Sequence, residues 1–252
     1  MPSLDKEIAL HRNLRREYQK RYSPQFAQEY LEWWDRLITY PLSQLNQGLV
    51  LDCGCGIGYL AKKISVTHPD FKVIGLEPSA AMLALARNRK NLVYLVGSAT
   101  SLPFRSSCFS AIICKEALHH VDYPHKALAE FYRVLRPGGI LMLSDPCSDS
   151  FLLQALRRVS FRLCRKFNPD HGSFGADQMQ RMLEQKGFNV QKQYRVGYLA
   201  YPLCGLADIL PVMKFLPFAV FVTKILIQVD VLMSKIPFVN RNNWLIVTHA
   251  KK

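Results

Sequence analysis

The chain has 252 residues, of which 49% are apolar and 21% charged. This composition is typical of a folded globular protein and excludes an intrinsically disordered chain, and the length allows one large domain with a full core. Lysine and arginine outnumber aspartate and glutamate by 33 to 19, which gives a net charge of +14. Such a charge is suited to binding nucleic acid, an anionic membrane surface or an acidic substrate, or it serves only to keep the protein in solution.

The seven cysteines are odd in number and follow no regular spacing, which indicates reduced thiols rather than a disulfide framework. The first ten residues mix acidic and basic side chains before any apolar run, so no signal peptide is predicted. Both features predict a cytoplasmic protein.

Residues 1–44 are predicted to form a helical cap. Aromatic and apolar residues recur at spacings of three and four between positions 8 and 40, which is the period of an α-helix. The dipeptide Ser23-Pro24 indicates the start of a second helix inside this region.

From Gly48 onward, short apolar runs alternate with helical stretches, and residues 45–252 are predicted to form the main domain. Alternation of this kind predicts an α/β fold with a mostly parallel sheet and helices on both faces. A closing pair of strands predicts an antiparallel edge. The predicted strands are 49–52, 71–77, 91–97, 109–114, 139–145, 188–196 and 244–250. One helix is predicted to begin at about Tyr59, and four more are predicted at 79–89, 124–135, 151–167 and 176–186.

Residues 198–240 form an apolar insertion before the last strand. Five charged residues and four prolines interrupt it, so no uncharged run reaches the roughly 20 residues that a membrane span needs. We therefore predict a cap over an apolar acceptor pocket and no transmembrane helix. The helix at 151–167 has an apolar and a basic face, and either lies on an anionic bilayer or packs on the sheet with its basic face in solvent.

The turn at residues 51–59, LDCGCGIGY, carries the clearest chemical signal. Its three alternating glycines let the backbone turn sharply and approach a ligand, and the helix that follows presents free N–H groups. Asp52 can face a cationic amine, and Glu77, at the end of the next strand, can accept hydrogen bonds from ribose hydroxyls. The spacing Asp-x-Gly-x-Gly-x-Gly differs from the dinucleotide motif and favours a ligand with an ammonium group and no pyrophosphate.

The sequence between residues 48 and 145 resembles the class I S-adenosylmethionine (SAM)-dependent methyltransferases, in particular the group that includes ubiquinone-, menaquinone- and sterol-type enzymes. This resemblance implies a Rossmann-like fold, SAM as methyl donor and S-adenosylhomocysteine as product. It is specific for the cofactor and says almost nothing about the acceptor. The matching motifs are LDCGCGIG (51–58), GLEPSAAML (75–83), GSATSLPF (97–104), FSAIICKEALHHV (109–121) and LRPGGILMLSD (135–145).

The resemblance also implies roles for individual residues. Asp52, Gly54 and Gly56 would line the methionine moiety, and Glu77 would hold the ribose. Pro78 would lie near the adenine ring, the Ala99 backbone at its edge, and the Cys114 carbonyl at the amino group. The complete set expected to bind the cofactor is Asp52, Gly54, Cys55, Gly56, Gly58, Glu77, Pro78, Ser98, Ala99, Cys114 and Lys115.

Ser98 departs from the family pattern, which has an acid at this position that accepts a hydrogen bond from the adenine amine. A hydroxyl can still accept that hydrogen bond, at about half the strength of a charge-assisted one. The sequence therefore predicts weaker SAM binding rather than an inactive protein.

Methyl transfer from a sulfonium needs mainly alignment of acceptor, methyl group and sulfur, and orientation of this kind can supply about 7–11 kcal/mol. No metal site is predicted. A hydroxyl or carbon-acid acceptor would also profit from a base. His119 and His120, after the fourth strand, and His171, in a later loop, are the candidates, with helix capping or a structural role as the alternative for each.

Three functions fit these features. The favoured one is methylation of a small, apolar or lipid-linked acceptor, with peripheral contact to an anionic membrane as a compatible property. An RNA or protein methyltransferase would explain the charge, although the chain lacks the paired-cysteine and Asp/Asn-Pro-Pro-aromatic motifs of nucleic-acid enzymes. A non-catalytic partner protein with a SAM-binding fold is the third, based on Ser98.

Overall fold

The computed structural model describes residues 23–150, 154, 172–207 and 210–252. The helices predicted before residue 23 and at 151–167, as well as His171, lie outside these residues.

Helix α1 (Gln25–Thr39) follows Pro24, as the sequence predicts, and continues into a 3-10 turn at Tyr40–Gln44. Its buried side chains recur at three- and four-residue spacing, which places them on one stripe of the helix. Tyr30, Trp34 and Ile38 on this stripe are fully buried and share a core with the strands of the sheet. The amino-terminal helix is therefore part of the main core.

The strands of the described residues form one seven-stranded sheet with the order β3-β2-β1-β4-β5-β7-β6. The first five pair in parallel, whereas β7 pairs antiparallel with both β5 and β6, which confirms the predicted Rossmann-like sheet and its antiparallel edge. The order reverses between β1 and β4, where open α/β sheets bind ligands. The strands are β1 Gly48–Cys53, β2 Phe71–Glu77, β3 Leu92–Val96, β4 Phe109–Lys115, β5 Leu135–Pro146, β6 Asn189–Val196 and β7 Leu245–Lys251.

Helices cover both faces of this sheet. Successive strand residues point to opposite faces, so Val50 and Leu51 of β1 enter two different apolar clusters. Helix α1 packs on the Val50 side. The other helices near the sheet are α2 (Tyr59–Thr67), α3 (Ala80–Leu83), α4 (Pro124–Val134) and α5 (Ala176–Glu184).

The helix predicted from Ser79 to Arg89 is much shorter in the structure, where α3 ends at Leu83. Asparagine side chains compete with helical hydrogen bonding, and the Asn88 Oδ1 accepts from the Tyr94 N–H at 3.1 Å. The Arg89 N–H donates to the Leu92 carbonyl at 2.8 Å, so the chain turns early into β3.

Residues 198–240 connect β6 to β7 through several short elements. They comprise a π-turn at Tyr201–Gly205, a 3-10 turn at Pro211–Phe215, helix α6 (Ala219–Met233) and helix α7 (Pro237–Asn240). None of the helices in the described parts of the chain has both the length and the apolar character that a membrane crossing requires.

Candidate active site

The glycine turn follows β1 and is attached to the end of β2. The N–H groups of Gly54 and Cys55 both donate to the Leu76 carbonyl, at 2.7 and 3.1 Å. A Cβ on Gly54 would overlap the Ala117 side chain, so this position needs glycine for packing alone. The turn is therefore held in place by its neighbours.

Gly56 differs, because the space in front of it is open. Its φ is +56°, in the left-handed region, and a Cβ there would have the Met82 methyl group as its nearest neighbour, at 3.7 Å. The backbone at this position is therefore accessible to a small ligand.

Glu77 joins the glycine turn to the segment after β2. Its Oε2 accepts from the Gly56 N–H and its Oε1 from the Ser79 N–H, both at 3.1 Å. Burial raises the pKa of this carboxyl, and the two N–H groups oppose that shift. A carboxylate oxygen accepts two hydrogen bonds, so each oxygen keeps capacity for one hydroxyl donor.

Asp52 is the most unusual group of the turn. It is 2% exposed, and burial raises its pKa to about 7, although the charge of Lys115 lowers it. Within the described residues, its Oδ2 is a buried acceptor without a hydrogen-bond partner. Buried acceptors are nearly always satisfied in folded proteins, so this oxygen indicates a missing donor.

Lys115, predicted to bind the cofactor, contacts α1 instead of the glycine turn. Its Nζ lies 2.7 Å from the Asp35 Oδ1 and 4.1 Å from the centroid of the Trp34 ring. Lys63 of α2 reaches the other oxygen of Asp35 at 3.0 Å. The sequence analysis did not select Asp35. The sequence pattern that could have indicated it is a single acidic residue among the apolar residues of one helix face.

The loops after β2 and β3 lie side by side, since Glu77 pairs with Val96. This arrangement places Pro78 close to the residues after β3, Ser98 and Ala99. The Ser98 hydroxyl lies 3.0 Å from the Thr100 hydroxyl and also accepts from the Thr100 N–H at 3.3 Å. Ser98, which departs from the family pattern, therefore makes its hydrogen bonds with a residue of the same loop.

The remaining predicted binding residues flank the turn. Burial raises the pKa of the thiols of Cys55 and Cys114 well above the ordinary value, so both thiols are neutral near pH 7. A Cβ on Gly58 would overlap the Tyr94 ring, whose hydroxyl donates to the Gly58 carbonyl at 2.9 Å.

His119 and His120 lie in a short 3-10 turn, Leu118–His120, after β4, with their ring centroids 4.0 Å apart. The His119 Nδ1 lies 2.7 Å from the Oδ1 of Asp145, and its backbone N–H donates to the same oxygen at 3.1 Å. Asp145 is buried near the end of β5, and burial raises its pKa well above the ordinary value. Sequence reasoning did not select Asp145. A Cβ on Gly172, which follows His171, would lie 3.0 Å from the His119 carbonyl oxygen.

The segment between β6 and β7 also reaches this edge of the sheet. The Tyr201 hydroxyl donates to the Oε1 of Glu116 at 2.7 Å, and Glu116 has a left-handed φ of 49° directly after β4. The Tyr201 ring packs edge-on against Trp34 with centroids 5.7 Å apart. No group of three or more side chains able to ligate a metal occurs among the residues that the structure describes.

Comparison with known proteins identifies relatives of this chain. The sequence model of a family described as "Methyltransferase domain" matches residues 51–143. An O-methyltransferase of Aspergillus nomiae is 30% identical over 162 residues, which are 62% of this chain and 70% of that protein. A demethylmenaquinone methyltransferase of Renibacterium salmoninarum is 33% identical over 119 residues, 47% of this chain and 49% of the relative.

Among solved structures, a SAM-dependent methyltransferase of Thermotoga maritima matches with a TM-score of 0.62 at 19% identity, covering 97% of this chain and 99% of that one. At this identity the likeness shows the fold. The chain spans less than two thirds of most of the curated relatives that it matches.

Proposed function

The chain belongs to the methyltransferase type 11 family of class I SAM-dependent methyltransferases, and from this premise we propose that it transfers the methyl group of SAM to a small, apolar or lipid-linked acceptor by in-line displacement. The observation that carries the proposal is the buried Asp52 oxygen without a partner, beside an open glycine and a carboxylate with spare acceptor capacity. When bound, SAM supplies an electrophilic methyl group on a sulfur that is already activated as a leaving group.

The described residues fit this ligand. Asp52 would accept from the ammonium group of the methionine moiety, which supplies the donor that its Oδ2 lacks. Glu77 would accept from the ribose hydroxyls with the lone pairs that Gly56 and Ser79 leave available. Ser98 and the Ala99 backbone would meet the adenine, with Pro78 beside it. Cys55, Gly58 and the Cys114 carbonyl would complete the surroundings of the turn, and Lys115 would lower the pKa of Asp52 from a distance.

His119 is the residue that we assign as the base, with Asp145 as its positioning residue. The Asp145 carboxyl, 2.7 Å from Nδ1, fixes the orientation of the His119 ring, and Nε2 on the other side of the ring would exchange the proton with the acceptor. Burial raises the pKa of Asp145, while the backbone N–H of His119 opposes that shift. The His120 ring, tilted by 39° against His119, restricts that ring further. His171 remains a second candidate from sequence.

Two observations support an apolar acceptor. The Renibacterium relative is named as a demethylmenaquinone methyltransferase, and the Aspergillus relative as an O-methyltransferase. The apolar segment 198–240 places Tyr201 on Glu116, immediately after β4, so this segment would cap the acceptor site. The 1–44 region would cover the sheet through α1.

The proposal is tested by incubating the protein with methyl-labelled SAM and a lipid and metabolite extract, and by searching for labelled products with mass spectrometry. We expect a labelled apolar product, and none from protein carrying Gly56→Val. A labelled RNA or protein product, with no labelled small molecule, would contradict the acceptor class.

Gly138→Val is the matched control. Gly138 has a φ of +71°, and a Cβ there would meet no atom within 4 Å, so both valines are strained by the left-handed backbone but only one lies in the ligand path. We expect Gly56→Val to abolish SAM binding in calorimetry and Gly138→Val to leave it unchanged. Normal binding by Gly56→Val would show that the site is misplaced.

A further inference from the structure

Large exposed apolar side chains are concentrated in one stretch of the chain, residues 210–241. Four phenylalanines of this region, Phe215, Phe218, Phe221 and Phe238, are 64–82% exposed. Apolar residues that protrude to this degree in one region indicate a contact with another apolar phase. We call these four side chains the phenylalanine surface.

Helix α6 shows why this surface is not part of the core. Its buried residues, Thr223, Ile227 and Asp230, form one narrow stripe at spacings of four and three. Phe221 and Leu232, on other sides of the helix, are each 64% exposed. The exposed part of α6 thus carries large apolar side chains beside Lys224, and the fully buried residues lie on one side of the helix only.

The charges of this region are of one sign. Its exposed charged residues are Lys214, Lys224, Lys235 and Arg241, and the acid in residues 210–243, Asp230, is buried. Asp230 accepts from the N–H groups of Leu199 and Ala200 at 2.8 and 2.9 Å. Glu29 of α1 lies 3.9 Å from the Lys224 Nζ, which stays 60% exposed.

We propose that the phenylalanine surface inserts into the headgroup region of an anionic lipid bilayer, with the surrounding cations on the phosphates. Exposed aromatic side chains interspersed with cations are typical of segments that lie in the membrane interface. A second copy of this chain would bring the same cations into mutual repulsion, whereas an anionic bilayer complements them. The contact goes beyond methyl transfer, and its test does not require the proposed activity.

Full-length protein is tested by flotation with vesicles of phosphatidylcholine, with and without phosphatidylserine. We expect binding only when phosphatidylserine is present. The variant Phe215→Ala/Phe221→Ala/Phe238→Ala should bind more weakly by about tenfold for each ring removed, since burial of each ring contributes about that factor. Absence of binding to anionic vesicles would overturn the proposal.

A charge variant separates local contact from overall charge. Lys214→Gln/Lys224→Gln/Lys235→Gln should weaken binding by roughly fivefold per lysine. The control, Lys72→Gln/Lys90→Gln/Lys126→Gln, removes three exposed lysines elsewhere and should keep binding within about twofold. Equal loss in both variants would overturn the proposal, as would a dimer in light scattering that the phenylalanine variant disrupts while vesicle binding is unchanged.

Discussion

Asp52→Asn should have opposite effects on stability and on ligand binding. In the folded protein without ligand, burial raises the pKa of Asp52 from 3.8 to about 7. Between these two pH values the folded state binds more protons than the unfolded state, so the wild-type protein loses stability as the pH rises through this window. Asparagine has the same shape as aspartate but does not ionise, so the variant does not lose stability at this position as the pH rises.

The magnitude follows from the size of the shift. Raising the pKa of Asp52 by about three units lowers the free energy of unfolding by about 4 kcal/mol above pH 7, where Asp52 is ionised in both states. The asparagine amide would be buried where Oδ2 lacks a partner, which costs about 1–3 kcal/mol. We therefore expect the variant to be more stable by about 1–3 kcal/mol at high pH. This corresponds to about 2–4 °C per kcal/mol in melting temperature for a chain of this size.

Thermal and urea unfolding without SAM, at about pH 8 and about pH 5, measures the first effect, and the advantage of the variant should shrink at the lower pH. Calorimetric titration measures the second, and loss of a charged acceptor should weaken SAM binding by about 1.5–3 kcal/mol. A variant that is less stable at both pH values and binds SAM normally would refute the assignment of Asp52 as a buried acceptor for the ligand.

Two further outcomes follow from the same geometry. Glu77→Ala should weaken SAM binding by about 1–3 kcal/mol in calorimetry, because a carboxylate that accepts from hydroxyls is lost, and unchanged affinity would remove Glu77 from the ligand site. Asp145→Asn should leave SAM affinity unchanged but lower kcat by about 10²–10⁴-fold and alter its pH profile, since the His119 ring loses its carboxyl partner; a change in KM alone would contradict this role.

The sheet could be predicted from sequence because its strands are continuous apolar runs separated by glycine turns and amphipathic helices. The position of the glycine turn could be predicted as well, since residues at the carboxyl ends of neighbouring parallel strands meet at one edge of the sheet. The early end of α3 could not be predicted in the same way, because the residues after it make contacts with β3, such as the hydrogen bond from the Tyr94 N–H to the Asn88 Oδ1. Helical periodicity alone carries no information about those contacts.

Asp35, Asp145 and Tyr201 were missed for a different reason. Each is distant in sequence from its partner: Asp35 lies 80 positions from Lys115, and Tyr201 lies 85 positions from Glu116. Such pairs exist only after the layers of the fold have packed. Local patterns therefore singled out the glycine turn, whereas the groups that contact its neighbours became visible only in the structure.

The ion pair between Asp35 and Lys115 has a practical consequence for truncated versions of this protein. The family match begins at residue 51, which invites removal of everything before it. A fragment trimmed there would lose the indole of Trp34, which donates to the Ser144 hydroxyl at 3.1 Å, and would leave the Lys115 ammonium without its counterion. The sheet would also lose the buried side chains of α1 from the cluster that covers one of its faces. A shortened protein should therefore retain the segment from residue 23 onward.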